Sequence, residues 1–111
     1  MVRGYYLRHM TPEELFDHVG TSLPGTKRSN MFGVTCYKIG RKPFINFHDG
    51  EIVCKLFDEV KEQALSIKGV SFFTPMDPDK PMKNWVQIPF SAGDQWAFFA
   101  EASLAFVEAG R

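Results

Sequence analysis

The side chains of this 111-residue sequence that could make or break bonds are three histidines, two cysteines and thirteen carboxylates. His9, His18 and His48 lie on three different segments. None has the HxxxH or HExxH spacing that would turn two imidazoles toward one zinc ion, and zinc needs three or four converging ligands. Cys36 and Cys54 form no CxxC pair and are too few for a disulfide framework. A catalytic thiol would need a base such as His48 beside it. Strand alternation instead points both cysteines inward and His48 to the other face. A thiol in apolar surroundings is raised in pKa and inert. Glu13, Glu14, Asp58, Glu59 and Glu62 stand at helix starts, where caps and the helix dipole account for them. No carboxylate pair is set up for acid–base work, and there is no P-loop, GxGxxG or GxSxG motif. The sequence predicts no catalytic residue, no metal site and no cofactor.

Lys27-Arg28 and Arg41-Lys42 are the basic clusters, and Tyr37 and Phe44 lie near them. Aromatic rings beside cations imitate a platform for single-stranded nucleic acid. Against this, thirteen basic and thirteen acidic residues cancel and the pI is near 6.8. A domain that holds nucleic acid by charge is usually basic overall. Residues 1–48 carry seven Lys/Arg and three Asp/Glu (7 − 3 = +4), and residues 49–111 carry six and ten (6 − 10 = −4). Interleaving of the halves in the fold would erase this asymmetry.

Hydrophobic residues make up 44% and charged residues 23%, as in globular domains. At this length one domain buries about two thirds of its surface and needs no disulfide or metal to hold its core. The first residues contain no run of seven apolar side chains, so no signal peptide is expected. No stretch approaches the ~18 apolar residues of a membrane span. A reduced, cytoplasmic protein is expected, with residues 1–10 as an arm on a single domain.

The elements follow from local chemistry. Thr11-Pro12-Glu13-Glu14 opens a helix with a capping box and proline at its first position, and Leu15, Phe16 and Val19 form its apolar stripe. Residues 31–57 read as three strands joined by Gly40-Arg41 and by Asp49-Gly50, a strong two-residue hairpin signal. With both turns of two residues, Cys36, Ile45 and Cys54 fall in one row. Val34, Phe47, Ile52 and Leu56 share their face, which should meet the helices. Tyr37, Phe44, Val53 and Phe57 then crowd the opposite face. Apolar patches of that size mark interfaces, and a homodimer through this face is expected, with Tyr5-Tyr6-Leu7 of the arm as the other possible cover. Asp58 caps a second helix. A short strand at 70–74, a proline-rich loop at 75–81 and a strand at 84–88 follow. A last helix begins at Ser91 or Asp94 with Trp96, Phe99, Ala100, Leu104 and Val107 inward. The order α-β-β-β-α-β-β-α predicts an α+β fold, an antiparallel sheet with helices packed on one face.

Met31-Phe32-Gly33, the meander that ends in Val53-Cys54-Lys55-Leu56, and Pro81-Met82-Lys83-Asn84-Trp85-Val86-Gln87-Ile88-Pro89 resemble the pattern of TfoX/Sxy N-terminal-domain proteins. The second half looks like a single-domain subgroup of them. The resemblance covers about three quarters of the chain and implies an α-β3-α-β2-α fold. It takes its name from regulators of competence for DNA uptake and implies no catalytic residues. The expected function is a non-enzymatic binding or regulatory module that acts through protein contacts, with a protein partner or itself. The alternative is a small-molecule binder or enzyme with a pocket under the 75–81 loop, formed by His48, Lys55, Lys83 and Trp85.

Overall fold

The computed structural model describes residues 9–31, 33–74 and 82–111. Most of the expected arm, Phe32 and the 75–81 loop lie outside the described residues. Helix α1 (Pro12–Thr21) starts as its sequence requires: Glu14 N–H donates to Thr11 Oγ1 at 3.1 Å, and Thr11 N–H donates to Glu14 Oε1 at 2.8 Å. Four strands follow: β1 (Thr26–Met31), β2 (Val34–Ile39), β3 (Lys42–His48) and β4 (Glu51–Lys55). Then come α2 (Asp58–Leu65), β5 (Ser71–Phe73), β6 (Met82–Ile88), a 3-10 turn (Phe90–Gln95) and α3 (Trp96–Glu108). The six strands form one antiparallel sheet in the order β1-β2-β3-β4-β6-β5. The described helices pack on one of its faces, as the α+β reading requires. Phe16 of α1 meets the rings of Tyr37 and Phe47, and α3 lies across β3 and β4.

Three local expectations are corrected. β1 adds a strand ahead of the expected meander. Its sequence, Thr-Lys-Arg-Ser-Asn-Met, carries no apolar alternation, because an edge strand with charged side chains has little to bury. Neither Ser91 nor Asp94 caps α3. A 3-10 turn runs into it instead, and the buried Trp96 ties that turn down by donating its indole N–H to Pro89 O at 3.1 Å. Asp58 does not cap α2 either: Phe57 is the cap residue, without a side-chain bond, and Asp58 has φ +56°.

The largest correction is one of register. The Asp49-Gly50 turn has positive φ at both residues (51° and 75°), and it sets Ile45 opposite Cys54, as expected. Between β2 and β3 the two-residue turn also holds, with Ile39 opposite Lys42 and Lys38 opposite Pro43. The ladder then slips, so that Tyr37 faces Ile45 and Cys36 faces Asn46. Phe44 is left over, in a β-bulge next to Pro43, which has no N–H to give to a ladder. One extra residue exchanges the two faces of everything beyond it. Tyr37 therefore joins Ile45, Cys54 and Val86 on the helix side, and Cys36 turns to the opposite side with Asn46, Val53 and Gln87.

The core under the helices holds Ile45, Ile52, Cys54 and Leu56 as expected, and Phe47 packs against it. Cys36 is buried on the other face, and Val34 is only half-buried. Of the expected interface, Tyr37 is 2%, Phe44 0% and Val53 0% exposed, so these three offer no surface. Tyr37 and Phe44 belong to the core itself.

Candidate functional site

Two strand ends, a loop and a helix terminus meet at one corner of the sheet. Lys55 ends β4 and stands directly across from Trp85 on β6. Beyond it Phe57 is extended (φ −136°, ψ 160°), and Asp58 then turns the chain into α2. At the end of α3, Gly110 takes φ +92°, a region glycine enters without penalty. Its N–H donates to Val107 O at 3.0 Å, and the Arg111 N–H donates to Phe106 O at 2.9 Å. These two bonds make a Schellman closure, which turns Arg111 back toward Phe57.

The side chains at this corner are cations on rings. The Arg111 guanidinium lies 4.2 Å from the Phe57 ring centre and 5.7 Å from that of Phe106, and it donates from Nη1 to Asp58 Oδ2 at 2.7 Å. Lys55 Nζ stands 5.9 Å from the centres of both Phe57 and Trp85. Phe57 and Phe106 pack edge to face at 5.3 Å. The rings of Phe57 and Trp85 are half-buried, and Lys83, two residues before Trp85, is exposed. Such a corner can hold an apolar group against the rings and an anion against the cations.

The expected pocket is thus assembled only in part. Lys55 and Trp85 come together, and Lys83 lies two residues before Trp85 on the same strand. His48 does not. It closes the hairpin at the far end of β3, opposite Glu51, about four residues or ~13 Å along the sheet from Lys55. There its ring meets Phe73 edge-on at 5.1 Å, and Nε2 lies 3.3 Å from Asp49 Oδ2. An open hollow of about 670 Å³ occurs at that same far end, lined by Glu51, Lys68, Gly69, Pro89, Ser91 and Asp94 among others. Phe57 is the one expected interface residue that keeps a partly open ring, and it does so through the corner.

A polar cluster missed by sequence reasoning joins α1 to the sheet. The Tyr37 hydroxyl donates to Asp17 Oδ1 at 2.9 Å, and Arg28 Nε donates to the same oxygen at 3.0 Å. Burial, and next the bond to Asp17, push the Tyr37 phenol up to about 12. The bond to Asp17 also holds Arg28 more firmly protonated. No spacing rule links residues 17, 28 and 37; they meet because the bulge turned Tyr37 toward the helix. Both cysteines are free and buried. Burial raises Cys36, and it raises Cys54 to about 12 although Ser103 beside it pulls the other way. Neutral thiols of this kind are poor nucleophiles. Among the described residues no three His, Cys, Asp or Glu side chains gather in a metal-sized group, and no helix is long and apolar enough to cross a membrane.

No family model, no curated protein and no solved structure matches the chain.

Proposed function

We propose that this chain is a non-enzymatic binding module of the TfoX N-terminal-like type, working in the cytoplasm through protein contacts. The observation that carries this reading is the corner of Lys55, Phe57, Trp85 and Arg111. Half-buried rings and arginine supply the energetic centres of protein interfaces, because they bring large rigid area at low entropic cost. Here strand pairing and the α3 terminus hold them in place beforehand, which lowers the cost of ordering on binding. The family part rests on the motifs at residues 31–33 and 81–89 and on the α+β arrangement.

A photo-crosslinking amino acid at position 83, with position 42 on the other half of the sheet as control, tests the reading in cells. The reading requires a discrete protein adduct from position 83 that Trp85→Ala removes and that position 42 does not give. Equal adducts from both positions, or none from 83, would defeat it. A small-molecule reading draws on the hollow near Glu51, Lys68 and Asp94 instead, and a metabolite that raises the melting temperature of wild type but not of Lys68→Ala would support it.

A further inference from the structure

We infer that the Lys55–Trp85 corner recognises an acidic peptide segment, one that sets a carboxylate beside an aromatic or aliphatic side chain. This rests on the reading of the corner as a protein-contact site. Two cations stand on the rings, Lys55 on Phe57 and Trp85 and Arg111 on Phe57, and a third, Lys83, is exposed on the strand that carries Trp85. The carboxylate of Asp58 is engaged by Arg111 at 2.7 Å, which holds that guanidinium over the Phe57 ring. Lys55 is different. Among the described residues its ammonium faces two ring faces rather than a carboxylate. A cation over a ring keeps most of its appetite for an anion, because the ring supplies only a quadrupole. Lys83 is exposed two residues before Trp85 on the same strand. A peptide carboxylate bridging Lys55 and Lys83 brings its neighbouring apolar side chain onto Trp85. That match of anion to cation and of apolar group to ring selects this occupant.

Single-stranded nucleic acid would also welcome cations and rings, but it tracks along several phosphates and needs a run of cations to do so. The corner offers three, on a chain whose net charge is zero. Protein is therefore the partner class the observations favour.

The corner carries its own reporter. Of the two tryptophans, Trp96 is fully buried and Trp85 is partly exposed, so a change of emission on titration reports Trp85. The experiment titrates the full chain at 50 mM salt with a blocked octapeptide of alternating glutamate and phenylalanine, with its glutamine counterpart, and with an eight-nucleotide oligothymidylate. The inference requires saturable binding of the glutamate peptide at least tenfold tighter than of the glutamine peptide. It also requires a tenfold loss on Lys55→Gln and a loss on raising salt to 500 mM. Lys55→Gln keeps strand pairing, and an unchanged melting temperature shows that its effect is local. Equal binding of the two peptides, with Trp85 responding, overturns acidic recognition and leaves the protein-contact reading standing. Tighter binding of the oligonucleotide overturns the choice of partner class. No response to any probe overturns acidic recognition, and the crosslink from position 83 then decides the broader reading separately.

Discussion

Replacing Gly20 by alanine gives the sharpest test of how α1 packs on the sheet. Gly20 lies in the last turn of α1 with helical backbone, so on propensity alone alanine should stabilise by about 0.5–1 kcal/mol. The structure reverses the sign. A Cβ on Gly20 would fall well inside 3.0 Å of Cδ1, Cε1 and Cζ of Tyr37. That ring cannot step aside cheaply: its hydroxyl is bonded to Asp17 at 2.9 Å, and its side meets the edge of Phe16 at 5.4 Å. Overpacking costs about 1–3 kcal/mol, and a stretched Tyr37–Asp17 bond adds about 1 kcal/mol. After the propensity gain is subtracted, a net loss of about 1–3 kcal/mol remains. For a chain of this length each kcal/mol is roughly 4 °C in Tm, so a fall of about 4–12 °C is expected by calorimetry. The partner variant Tyr37→Leu should cost stability itself and leave Gly20→Ala neutral or favourable in its background, a coupling that a double-mutant cycle reads directly. If Gly20→Ala raises Tm in the wild-type background, Tyr37 does not sit under α1 and the bulge at Phe44 is wrong.

Three further outcomes follow from the same geometry. Both cysteines should resist a thiol reagent in native buffer and react only as fast as the chain unfolds, since Cys36 and Cys54 are buried and pushed up in pKa; fast labelling of either would place it at the surface. Stability against urea should hold up to about pH 9 and then decline toward pH 12, because the unfolded chain releases protons near the ordinary values of 9.0 and 10.0 while Cys54 and Tyr37 keep theirs to about 12 in the fold. The loss is about 1.4 kcal/mol per pH unit for each group in its window, Cys54→Ala should make the decline shallower, and a rise in stability with pH over this range would contradict both assignments. Trp96→Ala should cost about 3–5 kcal/mol, as for a buried aromatic with a bonded indole, whereas Trp85→Ala should cost less because its ring is only partly buried; denaturant midpoints that rank the two the other way would exchange core and corner.

Several features that depend on chemistry within a few residues are legible in the order of the amino acids, although the caps expected from Asp58, Ser91 and Asp94 are not formed. The capping box at Thr11 and Glu14, the hairpin at Asp49-Gly50 and the stripe Trp96, Phe99, Ala100, Leu104 and Val107 all take the predicted form. The pairing of Ile45 with Cys54 follows from the hairpin turn alone. Of the site, Lys55 and Trp85 are legible as polar and aromatic groups near one loop, but Arg111 is not. It reaches the corner through a left-handed Gly110 and a ring contact 54 residues back in the chain, and neither leaves a mark on local pattern.

Composition and periodicity by themselves determined the class: an α+β arrangement with an antiparallel sheet under helices. They did so because turn chemistry and amphipathic stripes are local and add along the chain. Only the tertiary structure decided which face each β2 residue shows. Alternation has a period of two, and one bulged residue at Phe44 inverts it. That single slip moved Tyr37 from a supposed interface into the core beside Asp17, and moved Cys36 the other way. The sheet's edge strand β1 and the cation-on-ring corner were likewise settled by contacts between distant segments, which no window of neighbouring residues contains.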